Sequence, residues 1–209
     1  MLERSQISDL LLPYLEGHPL SADQIGDIST YIDLLSKWNQ VINLTAIRQP
    51  EEVVRRHFGE SLFAACHLLA PDASDSVIDV GSGAGFPGVG LKIFAPSIRL
   101  TLVESHGKKA TFLRELSRTL RLSDVEVVQE RAERLELQDK DRATLVTFRA
   151  VEKFDKILCT AASLVAPGGR LGALIGASQL SAAASILPGK WRSVAIPESE
   201  SRVLATWQG

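Results

Sequence analysis

The stretch Ile78-Asp79-Val80-Gly81-Ser82-Gly83-Ala84-Gly85-Phe86-Pro87-Gly88 decides the fold of this chain. A β-branched run over Val77–Val80 carries the acid Asp79, and an apolar helical pattern begins after the glycines, near Val89. A strand that runs into Asp-x-Gly-x-Gly leaves a tight turn in which no Cβ keeps a ligand from the backbone. Glycines also serve as plain turn residues, so the loop alone indicates a ligand site only weakly.

A carboxylate further along the chain strengthens this interpretation. The apolar run Leu100–Val103 ends in Glu104. An acid on the order of 20 residues past a glycine loop is placed to bind the two hydroxyls of a ribose. The alternative for Glu104 is an acid on the surface at the end of a strand.

The loop chemistry indicates which nucleoside would bind. Dinucleotides place a diphosphate at the helix N-terminus, but this loop has Asp79 at its entrance and lacks the Lys and Ser/Thr pair of a phosphate loop. It closes with Phe-Pro-Gly rather than a glycine at dinucleotide spacing. An acid here suits a cofactor with an amino group, a sulfonium and no phosphate, which describes S-adenosylmethionine.

Length and composition favour a globular protein with one core and a small appendage. The chain has 209 residues, is 45% hydrophobic and carries a formal charge of −2, so any RNA would be bound through a local patch. No apolar run is long enough to span a bilayer and Met1–Ser5 does not resemble a signal peptide, so we expect a cytoplasmic protein without membrane contact. Cys66 and Cys159 are predicted to be core residues without a disulfide.

Hydrophobic periodicity predicts two parts, an N-terminal helical extension over 1–70 and a core over 71–209. Ser21 and Gln24 form a capping-box pattern, followed by a helical stripe to Ile42, and a second helical pattern runs from Pro50 to Leu69. Helical patterns then alternate with strand candidates. The strand candidates are Val77–Val80, Leu100–Glu104, Val125–Val128, Leu145–Phe148, Arg170–Ile175, Arg192–Ile196 and Val203–Trp207; the helical patterns among them are Val89–Phe94, Lys108–Leu120, Phe154–Val165 and Ser178–Leu187.

This alternation predicts an α/β fold with a mostly parallel sheet. The last two strand candidates follow each other so closely that they can pair only as an antiparallel hairpin. A parallel sheet with a C-terminal hairpin is typical of the Rossmann-like class I S-adenosylmethionine-dependent methyltransferases, and the helical extension would form an N-terminal cap on it. We therefore expect one compact catalytic unit of this class.

Six ordered motifs make the resemblance specific. They are Trp38-Asn39-x-x-Ile42-Asn43-Leu44-Thr45-Ala46-Ile47; Arg56-His57-x-x-Glu60-Ser61-Leu62; Asp79 to Gly88; Leu102-Val103-Glu104-Ser105 with Lys108-Lys109-Ala110-x-Phe112-Leu113; Arg131-Ala132-Glu133; and Arg149-Ala150-Val151. With these motifs, which lie between about Tyr31 and Gly169, the chain resembles the rRNA small subunit methyltransferase G family, first named glucose-inhibited division protein B. The resemblance implies methyl transfer from S-adenosylmethionine, with S-adenosylhomocysteine as product, to N7 of one guanine in a decoding-region loop of 16S rRNA.

The resemblance also implies cofactor contacts, and the loop analysis adds others. The implied contacts are Gly81, Phe86, Ala132, Glu133 and Arg149, and the residues added from the loop are Asp79, Gly83 and Glu104. Glu133 has an alternative role as a first-turn helix carboxylate. The fork of Arg149 suits the cofactor carboxylate, an RNA phosphate or a structural ion pair.

We expect no catalytic acid or base and no metal. Guanine N7 has an in-plane lone pair and no proton, so positioning it in line with the methyl group suffices. Carbon methylation would need a cysteine nucleophile, and neither cysteine lies in a Pro-Cys or loop context. The Asn/Asp-Pro-Pro-aromatic tetrapeptide of amine methyltransferases is missing after the fourth strand candidate.

The expected RNA contacts are basic residues beside the core: Arg55, Arg56, His57, Lys108 and Lys109. His57 is equally well explained as a structural hydrogen-bonding residue. The expected partner is 16S rRNA, a small ribosomal subunit or an assembly intermediate, bound by a monomer. Two departures from the family remove positive charge: Ile175–Ser178 lacks a Lys-Gly pair, and the last residues form no basic tail.

Two alternatives remain from the sequence. The first keeps the cofactor but replaces RNA with a small molecule or a protein as methyl acceptor, which the acidic net charge favours. The second is a non-catalytic nucleotide- or RNA-binding protein with a degenerate methyltransferase fold. The complete set of Asp79, the loop glycines and Glu104 argues against the second.

Overall fold

The structure, a computed structural model, describes residues 2–135, 138, 141–149 and 153–208; Ala150 and Val151 of the last family motif lie outside this range. The α-helices are α1 Arg4–Leu11, α2 Ala22–Asn39, α3 Pro50–Val53, α4 Glu60–Leu68, α5 Gly88–Phe94, α6 Gly107–Thr119, α7 Phe154–Ser163 and α8 Leu180–Ile186. The strands are β1 Ser76–Val80, β2 Arg99–Val103, β3 Val125–Val128, β4 Ala143–Arg149, β5 Val165–Gly176, β6 Lys190–Ala195 and β7 Arg202–Gln208. Short 3₁₀ turns in the described part of the chain include Leu12–Tyr14, Ala132–Arg134 and Ala177–Gln179.

The strands form one sheet in the order β3-β2-β1-β4-β5-β7-β6. Strands β1 to β5 pair in parallel, whereas β7 is antiparallel to both of its neighbours. This confirms the predicted α/β fold with its C-terminal hairpin. The strand order reverses between β1 and β4, and ligands of such sheets bind outside the carboxyl ends of the strands at this point.

The hairpin enters the sheet in an order that local sequence does not determine. Strand β6 comes next after β5 and α8 along the chain and runs parallel to β5. It does not pair with β5, because one strand position separates them. The returning strand β7 fills that gap and pairs with both. The register places Gly176 of β5 opposite Arg202 of β7, so Arg202 lies at the carboxyl end of the parallel strands.

Helices cover both faces of the sheet. One buried cluster joins α1, α2, α4, α5 and α6 to the sheet, and the other joins α7 and α8 to the opposite face. The N-terminal helices therefore share their apolar core with the sheet, and the side chain of Gln24 donates to the carbonyl of Ile93 at 2.7 Å. Division at residue 70 remains a prediction. Within the described residues, no helix combines the length and apolarity needed to cross a membrane.

Several predicted features are confirmed and others are wrong. Ser21 and Gln24 form the expected capping box. Helix α2, however, ends at Asn39 rather than Ile42, because the Asn39 side chain accepts hydrogen bonds from the following N–H groups of Leu44 and Thr45. Val165 belongs to β5 rather than to the preceding helix, since the chain joins the sheet where the Leu164 carbonyl accepts from Ala143.

The two cysteines differ. Cys66 is half-buried and donates to the carbonyl of Leu15, whereas Cys159 is exposed. The prediction that Cys159 is a core residue is therefore wrong. Helix α7 buries Leu158 and Ala161 instead, so Cys159 lies off the buried stripe.

The second predicted N-terminal helix contains an unexpected wide turn. Between α3 and α4 the backbone forms a π-helical segment, Val54–Gly59. Such turns are uncommon and occur often at functional sites. This one carries three of the predicted RNA contacts, Arg55, Arg56 and His57.

Candidate functional site

The glycine loop lies at the carboxyl end of β1 and is attached to the neighbouring strand. The N–H groups of Gly81 and Ser82 both donate to the carbonyl of Val103, at 2.9 and 3.1 Å. The Ser82 hydroxyl donates back to the carbonyl of Asp79 at 2.9 Å. The loop is therefore held by hydrogen bonds before any ligand binds.

Two glycines in the loop have different functions. Gly85 has φ +95°, and a Cβ there would collide with the Tyr31 hydroxyl, so this glycine is required for packing. Gly83 has φ +56°, and its nearest contact for a Cβ would be the Gly81 carbonyl oxygen at 3.7 Å. The Gly83 position faces open space, as expected for a residue over which a ligand lies.

Glu104 is the carboxylate that completes the loop. It follows β2, is 6% exposed, and accepts from the N–H groups of Gly83 at 2.9 Å and His106 at 2.7 Å. Each oxygen thus accepts one hydrogen bond, while a carboxylate has about four acceptor positions. Two hydroxyl groups of a ligand can therefore still donate to it.

A cleft of about 250 Å³ opens beside the loop. Its lining includes Gly81, Ser105, Ala132, Glu133 and Lys153, which brings together three of the predicted cofactor contacts. Glu133 lies in the first turn of a 3₁₀ segment and forms an ion pair with Lys156 at 3.1 Å. Its own backbone N–H and Lys156 lower the pKa of Glu133. The alternative role of Glu133 as a first-turn carboxylate is thus also present.

Asp79 lies beneath the loop rather than in the cleft. Its side chain is fully buried, and its two oxygens accept from the Thr147 hydroxyl at 2.9 Å and the Gly88 N–H at 3.2 Å. Burial raises the pKa of Asp79 from 3.8 to about 7, although hydrogen bonds from Thr147, Gly88 and Ser82 oppose the shift. Asp79 therefore shapes the loop, and its predicted cofactor contact would be indirect.

The raised pKa of Asp79 predicts a pH dependence of stability. The pKa of Asp79 is higher in the folded than in the unfolded state. Protonated Asp79 therefore adds its full stabilisation to the free energy of unfolding below pH 4, and this stabilisation is lost as the pH rises to about 7. Asp79→Asn keeps the size, with its oxygen accepting from Gly88 and its amide donating to Thr147, but does not titrate. In urea unfolding between pH 4 and 8, this variant should lack about 4 kcal/mol of pH dependence. The exposed control Asp9→Asn should follow the wild type, and a wild-type profile in Asp79→Asn would contradict the assignment.

Phe86 connects the loop to the N-terminal helices. Its ring is buried between the rings of Tyr31, at 5.0 Å and parallel, and His57, at 4.8 Å. The Tyr31 hydroxyl donates to the carbonyl of Ala84 in the same loop. The Phe86 side chain is thus part of the core, so its predicted cofactor contact could come only from its backbone.

Arg149 points toward the π-helical turn. It donates to the Arg56 carbonyl at 2.7 Å and to Nδ1 of His57, and its guanidinium lies 5.8 Å from the Phe86 ring centre. Since Nδ1 accepts, the imidazole proton is on Nε2, which lies 2.8 Å from the Thr45 hydroxyl. Burial and then Arg149 lower the pKa of His57 to about 3. His57 is therefore a neutral structural residue here, and Arg149 has the structural role left open by the sequence.

A buried carboxylate gathers three arginines at this place. Glu60, the first residue of α4, has a side chain only 2% exposed. Its oxygens lie 3.2 Å from Arg56 Nε, 3.4 Å from Arg149 Nη1 and 3.1 Å from Arg202 Nη2. Three positive charges thus surround one negative charge, so this arginine cluster (Arg56, Arg149, Arg202 and Glu60) is cationic.

The remaining predicted RNA contacts lie in different surroundings. Arg55 forms an ion pair with Glu198, to which Tyr14 also donates at 3.2 Å. Its charge is therefore neutralised by the loop between β6 and β7. Lys108 is exposed and Lys109 half-buried in the first turn of α6. Their contact with RNA stays a prediction.

Sequence reasoning missed the functions of Arg202, Glu60 and Tyr31. Glu60 had a usable signal, because an acid four residues after Arg56 stands among the apolar residues Phe58, Leu62 and Phe63. Tyr31 lies on the apolar stripe of α2. For Arg202 no local signal exists, since only the register of β7 brings it to Glu60.

Comparisons with known proteins agree with this geometry. The profile of the family described as rRNA small subunit methyltransferase G matches residues 24–186. A ribosomal RNA small subunit methyltransferase G from Chloroflexus aggregans is 43% identical over 157 residues, which are 74% of this chain and 65% of that protein. A protein of the same name from Xanthomonas campestris pv. campestris is 37% identical over 186 residues, 89% of this chain and 84% of that protein. The chain thus spans just under two thirds of the first relative.

Solved structures share the fold at low sequence identity. A predicted O-methyltransferase from Agrobacterium tumefaciens superposes with a TM-score of 0.59 at 19% identity, covering 71% of this chain and 79% of that one. A ribosomal protein L11 methylase from Lactobacillus delbrueckii subsp. bulgaricus gives a TM-score of 0.58 at 12% identity, covering 72% and 77%. The fold is that of the class I methyltransferases.

Proposed function

Since this chain belongs to the rRNA small subunit methyltransferase G family, we propose that it transfers the methyl group of S-adenosylmethionine to N7 of one guanine in a decoding-region loop of 16S rRNA. The observation that carries the proposal is the pairing of Glu104 with the open Gly83 position. A buried carboxylate with free acceptor positions stands next to a glycine that has no side chain and faces open space, beside a cleft at the strand switch point.

The residues beside the cleft fit S-adenosylmethionine. Glu104 is suited to accept from both ribose hydroxyls, and the backbone of Gly81 and Gly83 leaves room for a flat ligand. Ala132 adds an apolar surface to the cleft for the adenine ring. When bound, the cofactor would supply an activated methyl group. Glu104, the backbone of Gly81 and Gly83, and Ala132 would hold the cofactor in place.

The transfer itself requires positioning rather than acid–base chemistry. Guanine N7 is a lone-pair nucleophile without a proton to remove, so the side chains need only align it with the methyl group. The packed rings of Phe86, Tyr31 and neutral His57 support the loop from the side of the N-terminal helices. Within the described residues, no group of three or more His, Cys, Asp or Glu side chains is arranged to share a metal ion.

Methyl transfer from labelled cofactor tests the proposal directly. Small ribosomal subunits and total 16S rRNA, both lacking natural modifications, should be offered in parallel, and the labelled base then mapped. Label at N7 of a single guanine is the expected result. Cofactor binding without label in either substrate would contradict the RNA assignment and favour a small-molecule or protein acceptor.

Arg56 should affect RNA but not the cofactor. Its side chain is about half exposed, and it lies on the π-helical turn outside the cofactor cleft. Arg56→Ala is expected to raise the KM for RNA about tenfold, because one charged contact to phosphate is lost, and to leave the calorimetric Kd for the cofactor unchanged. Arg99→Ala removes an exposed arginine at the amino ends of the parallel strands, away from the cleft. It should change neither the KM for RNA nor the Kd for the cofactor. A matching loss in cofactor affinity would instead place Arg56 in the donor site.

A further inference from the structure

We propose that Arg202 is an acceptor-binding residue, whose guanidinium binds a backbone phosphate of the RNA next to the target nucleotide. The inference rests on the proposed function and names a residue in the C-terminal hairpin. Its support comes from the position of Arg202, from the charge around it and from its unused hydrogen-bonding capacity.

Arg202 lines a second cleft at the carboxyl edge of the sheet. This cleft has a volume of about 110 Å³, and its lining includes Phe148, Phe154, Gly176, Gln179 and Arg202. The lining of the cofactor cleft includes Lys153 and Ile157. Because these residues flank Phe154 in the first turn of α7, the two clefts meet the same helical turn. The second cleft therefore lies beside the donor site, where a methyl acceptor must approach.

The surroundings of Arg202 are positively charged. Glu60 is the acid that faces it, and Arg56 and Arg149 share that carboxylate. His57 adds no charge, and the field of Arg149, Arg56 and Arg202 contributes to keeping it neutral. Three guanidinium groups against one carboxylate leave a surplus of two positive charges among the described residues. A surplus of this size attracts an anion.

The guanidinium of Arg202 is held in place without using its hydrogen bonds. Nη2 lies 3.1 Å from Glu60 Oε2; Nη2 and Nε are both buried, and neither has a well-aligned acceptor among the described residues. Glu60 thus positions Arg202 chiefly by charge. The side chain is still 20% exposed. Nη1 is the guanidinium nitrogen that is not among these buried atoms, and its charged N–H groups are suited to donate to a phosphate oxygen.

An RNA phosphate fits this place better than the carboxylate of the cofactor. The cofactor cleft is lined by Gly81, Ala132 and Glu133 and does not include Arg202. The acceptor side faces RNA, whose phosphates are the anions that arginines neutralise while the base is selected elsewhere. The half-buried side chain of Phe154 in the same cleft would then lie close to the bound RNA.

The test combines transfer kinetics at several salt concentrations with calorimetry of cofactor binding, using unmodified small ribosomal subunits as the substrate. Arg202→Gln should raise the KM for subunits about tenfold, with kcat changed less than about threefold and the cofactor Kd unchanged. The slope of log(kcat/KM) against log[salt] should become shallower by about 0.7 to 1. Arg202→Lys keeps the charge, so it should retain the slope while losing part of the affinity.

Arg192→Gln is the matched control, since it removes an exposed arginine from the same hairpin and should leave KM and slope unchanged. A wild-type KM and slope in Arg202→Gln would overturn the proposal, and so would an equal loss of cofactor affinity. If Arg202→Gln does not fold, the slope of Arg202→Lys decides, because a shallower slope there contradicts a charge-based contact. Failure of the wild type to label subunits would instead contradict the proposed function.

Discussion

Gly83→Arg is expected to lower the affinity for S-adenosylmethionine more than about a hundredfold. The position has φ +56° and faces open space above the loop, with the Gly81 carbonyl oxygen at 3.7 Å as the nearest contact for a Cβ. An arginine side chain would fill the space in which the cofactor should lie. A non-glycine residue with this left-handed backbone conformation also lowers the stability of the fold by about 1–2 kcal/mol.

Gly168→Arg separates the effect of blocking the cofactor from the effect of backbone strain. Gly168 also has a positive φ, +74°, with nothing within 4 Å of an added Cβ, but it lies near the start of β5, at the opposite edge of the sheet. It should therefore carry similar strain without blocking the cofactor. Calorimetry of both variants, after thermal unfolding shows that both are folded, makes the comparison. Equal cofactor affinity in the two variants would remove Gly83 from the site.

Glu60→Gln is expected to lower the free energy of unfolding by about 3–5 kcal/mol. Glutamine keeps the size but removes the carboxylate charge that faces the three guanidinium groups. Most of the lost stability comes from Arg149, because its side chain is only 10% exposed and burial already lowers its pKa to about 10. Arg56 is half exposed, so its own share is small.

Urea unfolding measures this loss, with Glu52→Gln as the control. Glu52 is an exposed acid of α3, on the same helical segment, and its substitution should change stability by less than about 0.5 kcal/mol. A loss below about 1 kcal/mol in Glu60→Gln would mean that water, rather than Glu60, offsets the charge of the arginine cluster.

The elements of the fold were predictable because their signals are local. The β-branched runs, the capping box at Ser21 and Gln24, and the positive-φ glycines of the loop each depend on residues within a few positions of one another. Glu104 was predictable for a related reason. A parallel strand that follows the loop must end at the same edge of the sheet, so an acid at its end comes to the loop.

Side-chain direction was not predictable from these patterns. Asp79 and Phe86 lie in the loop motif, yet Asp79 turns under the loop to Thr147 and Phe86 turns to Tyr31 and His57. Cys159 lies in an apolar run but off the buried stripe of its helix. Which neighbour a side chain meets depends on how elements distant in sequence pack.

By itself, the sequence determined the order of strands and helices, the glycine loop and the carboxylate Glu104, because backbone conformation and hydrophobic periodicity are short-range properties. Only the tertiary structure decided that β7 lies between β5 and β6, and hence that Arg202 meets Glu60, Arg149 and Arg56. These four residues come from three elements and the π-helical turn. Their electrostatic interactions depend on distance in space, which strand register and helix packing set and local sequence does not.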